Sequence, residues 1–368
     1  MSHYGVMVCL PRETEQADIE SALEKVLAPF DENMSVEPYR RYEGGFAEEY
    51  WWVSSVRRGA AHLKDGTGVD ERDLESHSYG KPPLTVEEKR SEYEEDARWA
   101  AAIGEPATWK AVVEQYNAKW HPKNAVATGD EVDDSDDGLF YEAETDRAYT
   151  MSTYNPESKW DYWRVGGRWS GYFIADGMEE FILLPERHWD GPQGLGRGRC
   201  DGGRMRSLDL AAMREEAATK ANADYDQWEK LVAEYGASAK PWSHFIGLVD
   251  VVEGYTIDQA RQEYRVQPIV AAHDRMERNH DGLVSWGRCV IDAFLSPREE
   301  IVRLRVAAAV PAYATVTLGG EWIAPGRMGW FGMSSDGPGE REGYQIAVSK
   351  YLQELHPDTW LVVVDCHI

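Results

Sequence analysis

Five consecutive large apolar residues, Trp360-Leu361-Val362-Val363-Val364, stand near the C-terminal end of the sequence. A run this short and this rich in valine reads as an interior strand, because a strand with one face in water alternates apolar with polar residues. The fold must therefore contain a sheet covered on both faces. At the opposite end, His3 to Leu10 also reads as a strand. Glu13 to Phe30 follows, with Ile19, Leu23, Val26 and Leu27 at helical spacing, and Met34 to Tyr42 reads as a second strand after the polar break Asp31-Glu32-Asn33. A β-α-β opening of this kind predicts a ferredoxin-like start.

Beyond that opening, Gly59 to Pro83 has the composition of a long surface loop. Helices are predicted over Thr85 to Ile103, where Thr-Val-Glu-Glu resembles a capping box, and over Ala107 to Trp120. Leu139 to Tyr154 and Tyr162 to Ile174 are aromatic and β-branched enough to be strands, with Gly166-Gly167 as a turn or bulge. Leu208 to Tyr235 is the longest helix candidate. The last third predicts strands at Phe245 to Val252, Ile269 to Ala272 and Tyr313 to Leu318, and helices at Ile257 to Tyr264 and Tyr344 to Leu355. The expected class is α+β, mostly antiparallel sheet with a ferredoxin-like βαβ start and helical insertions. The expected division is an N-terminal α+β region, residues 1–125, and a C-terminal α+β domain, residues 126–368.

Charge narrows the partners. With 65 Asp and Glu against 39 Lys and Arg in 368 residues, the net charge is −26, and the average field repels nucleic-acid phosphates and anionic lipid. No apolar run approaches the roughly 18 residues of a membrane span, and no leader pattern opens the sequence. Cys9, Cys200, Cys289 and Cys366 are scattered, which fits free thiols and a cytoplasmic location. The acidic run Asp130 to Asp146, nine acids without a base, resembles a calcium loop by composition only: Tyr141 stands at the twelfth position, where a ligating Glu belongs. It reads as a solvated loop. No motif calls for a cofactor or a metal.

Three places carry candidate chemistry. The first is Trp163-Arg164-Val165-Gly166-Gly167-Arg168-Trp169-Ser170-Gly171. Gly166 and Gly167 permit positive φ and close approach, Trp163 and Trp169 are suited to stacking on a planar group, and Arg164 or Arg168 to gripping a carboxylate or phosphate. The competing structural reading is a bulged hairpin whose tryptophans fill the core. The second is Gly326-Arg327-Met328-Gly329-Trp330-Phe331-Gly332, and if both blocks line one cleft, Arg168, Arg327, Trp169 and Trp330 make a cationic, aromatic-walled pocket. The third is Asp365-Cys366-His367. Strand neighbours point to opposite faces, so Cys366 and His367 do not form a dyad, whereas Asp365 and His367 share a face on which His3, His244 or His273 would complete an acid/base pair or a chelate. A fourth segment, Gly194 to Arg206, has four arginines within ten residues and reads as a loop docked on the protein's own acidic surface.

Lys159-Trp160-Asp161 with Gly166 to Gly171, Gly320-Glu321-Trp322 with Gly326 to Gly332, and Val363-Val364-Asp365-Cys366-His367-Ile368 together resemble an uncharacterised family of phage and bacterial genomes. The resemblance covers roughly half of the chain, chiefly 150–255 and 310–368. It implies an intracellular protein of phage or prophage character and supplies no mechanism. The expectation is a non-catalytic cytoplasmic binding protein that recognises a host protein or a small planar anion. The alternative is an enzyme on a nucleotide-like substrate, with Arg168 and Arg327 as anion clamps and Asp365 or His367 as acid/base.

Overall fold

In the computed structural model, the residues described are 2–64, 69, 74, 84–121, 138–177, 182–184, 198–236, 239–278, 289–329 and 333–368. The main sheet is organised by strand β12 (Trp360–His367). It pairs antiparallel with β1 (His3–Leu10) over eight residues, from His3 opposite His367 to Leu10 opposite Trp360. On its far edge β1 takes β10 (Ala314–Val316) in parallel, and β11 (Trp322–Ile323) extends β10 antiparallel. The other edge of β12 is divided between two short strands. β9 (Gly202–Arg204) pairs with Trp360 to Val362, and β5 (Tyr162–Val165) with Val364 to His367. β7 (Ile182–Leu183) lies beyond β9, while β6 (Phe173–Ile174) and β8 (Arg199–Cys200) form a separate ribbon.

Burial on both faces explains why β12 reads as an unbroken apolar run. Trp360, Val362, Val364 and Cys366 join Tyr4, Val6, Val8 and Leu10 of β1 in one core, closed by Ile19, Leu23 and Leu27 of α1 (Ile19–Leu27), which recur every fourth residue on one helix face. Leu361 and Val363 join Met7 and Cys9 in a core on the opposite face, closed by Tyr344, Val348 and Leu352 of α11 (Pro338–Glu354).

A third cluster is helical. Trp228 and Leu231 of α5 (Leu210–Tyr235) pack with α6 (Trp242–Val251), α7 (Ile257–Arg265), α8 (Pro268–Arg278), α9 (Val290–Ala293) and α10 (Arg298–Ala307). Two predicted strands fall here, and both are helices: Phe245 to Val252 lies in α6 and its C-cap, and Ile269 to Ala272 in α8. Short apolar runs carry no period that separates a strand from a buried helix segment. The deciding signals are Pro241 at the N-cap of α6 and Pro268 at the first position of α8.

The chain divides into two units, Met1–Glu32 with Glu157–Ile368, and Asn33–Pro156. The first is discontinuous, so the division differs from the expected boundary at residue 125. The second unit holds the antiparallel sheet β2 (Ser35–Tyr42), β4 (Arg147–Tyr154) and β3 (Phe140–Glu142), with α2 (Trp51–Lys64), α3 (Val86–Ile103) and α4 (Trp109–Trp120) around Trp52, Val53, Val56, Trp109 and Val112. Thr85 caps α3 as expected: its hydroxyl accepts from Glu88 N–H and its own N–H donates to the Glu88 carboxylate. The ferredoxin-like βαβ start is corrected. β10 and β12 occupy both edges of β1, and β2 pairs with β4 in a different sheet. The α+β class and the predominance of antiparallel pairing hold, with β1 and β10 as a parallel pair. Of the acidic run, residues 130–137 lie outside the described residues.

Candidate functional site

β5 and β9 meet on the edge of β12 at Val363, whose carbonyl accepts from Gly166 N–H and whose N–H donates to the Asp201 carbonyl, both at 2.9 Å. From this junction the chain leaves the sheet through one tight helical turn, Gly167–Trp169. Gly166 and Gly167 have φ of 65° and 53°. A Cβ at Gly166 would lie 2.3 Å from Oδ2 of Asp201, and one at Gly167 would lie 2.5 Å from Oδ2 of Asp365. The two glycines therefore serve both the left-handed backbone and the close approach to two carboxylates.

Those carboxylates are buried, Asp201 at 1% and Asp365 at 5% exposure. A buried charge has to be satisfied by donors, and the turn supplies them. Arg168 N–H donates to Oδ2 of Asp365 at 3.0 Å, Gly171 N–H to Oδ1 of Asp201 at 2.5 Å, and the Ser170 hydroxyl to Oδ2 of Asp201 at 3.3 Å. Trp169 lies against β1 where Gly5 makes room: a Cβ there would sit 3.3 Å from the indole. The block is thus a turn that cradles carboxylates, with the side chain of Arg168 exposed.

The face of the sheet that buries Met7 and Val363 turns polar at its end. Nδ1 of His3 lies 2.9 Å from Oδ1 of Asp365, and Nδ1 of His367 lies 2.6 Å from Oδ1 of Asp161, each imidazole N–H donating to its carboxylate. The two rings stand edge to face with centroids 4.8 Å apart. Strand alternation anticipated Asp365 and His367 on this face, and of the three histidines offered to join them His3 is the one that lies there. His244 and His273 sit on α6 and α8 instead. Cys366 points into the opposite core, where burial, reinforced by the Asp365 charge, pushes its thiol far up. Burial likewise pushes Cys9 and Cys200 to about 12, so neither is a poised thiolate.

On that opposite face, at the same end of β1 and β12, lies a cavity of about 280 Å³. Tyr4, Tyr313 and Trp322 wall it, with Tyr4 edge-on to Tyr313 at 5.5 Å and to Trp322 at 6.4 Å between centroids. Lys159 and Arg327 border it. Tyr4 donates its hydroxyl to the Lys159 carbonyl, and desolvation, followed by the neighbouring Cys366, drives its ionisation far up, so it stays a neutral donor. The Arg327 segment is pinned by main-chain bonds: Arg327 N–H to the Ser335 hydroxyl at 2.9 Å, Ser335 N–H to the Arg327 carbonyl at 3.0 Å, and Gly329 N–H to the Met333 carbonyl at 2.7 Å. Ser2 joins this segment to β1 through a 2.9 Å bond from its hydroxyl to the Gly329 carbonyl.

A second cavity, of about 830 Å³, is lined by Trp163, Arg164, Val165 and Asp201 together with Glu20 and Glu24 of α1. Arg164 thus faces one cavity and Arg327 another, and the two share no lining residue. Of the cleft that the two blocks would line together, Trp330 lies outside the described residues; the first turn is folded against Asp365 and Gly5, and Arg327 lines the Tyr4 cavity. In the arginine-rich segment, Arg199 pairs with Glu216 and Arg206 with Asp358. Arg204 donates to the carbonyls of Arg12 and Asp358, with its guanidinium 5.0 Å from the Trp360 ring centroid. Arg197 lies outside the described residues.

Sequence reasoning missed Asp201, Tyr4, Lys159 and Tyr313. Asp201 sits inside a stretch of glycine and arginine that looks solvated. The other three come from separate segments, and no local spacing links them. Among the described residues no group of three or more His, Cys, Asp or Glu side chains is placed to hold a metal ion, and no helix is long and apolar enough to cross a membrane. No protein-family model matches the chain, and neither a curated protein nor a solved structure is significantly similar to it.

Proposed function

We propose that the chain is a non-catalytic cytoplasmic binding protein of phage or prophage type, which takes a small planar anion in the cavity between Tyr4, Tyr313, Trp322, Lys159 and Arg327. One observation carries this reading: Lys159, Arg327 and the aromatic residues Tyr4, Tyr313 and Trp322 line one cavity of about 280 Å³. Aromatic walls favour a flat ligand, and cations beside them favour a carboxylate or phosphate on its edge. The volume lies just below the roughly 300 to 1,000 Å³ of drug-sized sites, which suits a single or fused ring rather than a dinucleotide. Phage character rests on the three sequence blocks.

The enzyme alternative needs Arg168, Arg327, Asp365 and His367 around one cleft. What weighs against it is that the Arg327 cavity opens on the Tyr4 face of β12, whereas Asp365 and His367 project from the other. The test is mass spectrometry of small molecules that co-purify with the chain, followed by calorimetric titration of adenosine monophosphate and benzoate. Binding at one site, weakened tenfold or more by Arg327→Ala or Trp322→Ala, is the expected result. A chain that retains only a protein partner, or whose affinity ignores both substitutions, overturns the reading and favours a host-protein surface.

A further inference from the structure

His3 and His367 stand directly opposite each other on β1 and β12, and each is held from behind by a carboxylate. Their side chains are 21% and 14% exposed. Each ring contacts its carboxylate and the other ring; among the described residues Nε2 of neither has a hydrogen-bond partner, and neither Nε2 is a buried unsatisfied atom. Both outer nitrogens therefore reach water.

A carboxylate bound to Nδ1–H fixes the tautomer and leaves the lone pair on Nε2, which is the support that metal-ligating histidines receive in proteins. Asp365 and Asp161 place two carboxylates behind the imidazoles in a chain of net −26, with Arg164 of β5 opposite Asp365 as a counter-charge. We propose that Nε2 of His3 and Nε2 of His367 together bind one divalent transition-metal ion of the Zn²⁺ class. A shared ion about 2 Å from each nitrogen requires the two Nε2 atoms to turn towards each other, which centroids 4.8 Å apart on directly opposed strand positions permit. Two imidazoles without further oxygen donors select Zn²⁺, Ni²⁺ or Cu²⁺ over Ca²⁺ and Mg²⁺. With two protein donors the site is open, and water or an exogenous ligand fills the remaining positions.

The test is calorimetric titration of the intact chain with Zn²⁺ alone at neutral pH, beside His3→Gln, His367→Gln and, as a comparison, His244→Gln on α6. One ion per chain is expected, bound tenfold or more weakly by either strand variant and unchanged by His244→Gln. Because glutamine at either strand position also removes a bond to a carboxylate, imidazole ¹⁵N spectra of the unmodified chain provide a second reading. The Nε2 signals of both histidines should shift together and saturate at one equivalent of Zn²⁺. Equal Zn²⁺ affinity in all variants, or Nε2 signals that ignore the ion, overturns the proposal. Anion binding in the Tyr4 cavity is a separate outcome: Arg327→Ala leaves Zn²⁺ binding intact if both readings hold.

Discussion

At Gly167 an added methyl group would lie 2.5 Å from the carboxylate of Asp365, and at Gly326 it would lie 2.6 Å from the main-chain nitrogen of Asp336. Both blocks bring glycine, arginine and aromatic residues together, and both use glycine for a close approach. They differ in what the turn closes on. The first closes on buried carboxylates of the central sheet, so its arginine contributes a main-chain N–H to Asp365 while the guanidinium is exposed. The second closes on a neighbouring loop, so the main chain of Arg327 is anchored by Ser335 and the residue lines a cavity. A similar composition therefore yields a structural clasp in one place and a candidate ligand contact in the other. The side chain of an arginine takes its role from where its backbone is fastened.

The contrast is most exposed at Gly167. Gly167→Ala combines a positive φ with overlap against a buried carboxylate and should cost about 3 to 4 kcal/mol in urea denaturation; Gly326→Ala, which overlaps the Asp336 main chain without a positive φ, should cost about 1 to 2 kcal/mol. Equal costs would erase the distinction between clasp and loop. Next comes Asp365→Asn, which removes the charge from two hydrogen bonds at a buried site and should cost about 2 to 3 kcal/mol. If stability is unchanged, the first block is not fastened where its geometry indicates.

Alkaline pH probes the core that Met7 and Val363 share with Cys9 and Cys200. Burial raises Cys9 and Cys200 to about 12, so the unfolded chain loses these protons first. Their contribution to stability is whole below the ordinary thiol range, near pH 9, and is lost as pH rises towards 12, by up to about 1.4 kcal/mol per pH unit for each thiol. Denaturation midpoints measured from pH 8 to 11 should fall along that slope, and Cys9→Ala should flatten it. The smallest stability effect belongs to the second block: Arg327→Ala should change folding stability by less than about 0.5 kcal/mol while lowering planar-anion affinity tenfold or more. A large loss of stability would make Arg327 a second clasp.

Period and capping made much of the frame legible. Unbroken apolarity marked β12, fourfold spacing marked α1, and Thr85 with Glu88 marked the start of α3. Alternation along β12 placed Asp365 and His367 on one face and Cys366 on the other, and the cluster with His3 follows from the pairing of the two terminal strands. What stayed hidden depends on long-range pairing. Nothing local shows that β2 joins β4 rather than β1, or that Asp161 holds His367. The apolar runs in α6 and α8 were ambiguous because a buried helix segment and a buried strand have the same composition over five residues. Asp201 was missed because burial is a property of the folded surroundings, and its neighbours Arg199 and Arg204 suggest solvent.

The pairing of β1 with β12 sets the order of events in assembly. Residues 3–10 and 360–367 lie some 350 positions apart in sequence, yet each is the other's longest strand partner. During synthesis β1 emerges first and has to wait for β12 before its second edge is covered. The helices from α5 to α10 and the unit Asn33–Pro156 are built from nearer contacts and are able to form meanwhile. The central sheet is then the last piece of the molecule to close, and His3 and His367 meet only in a chain that has completed it.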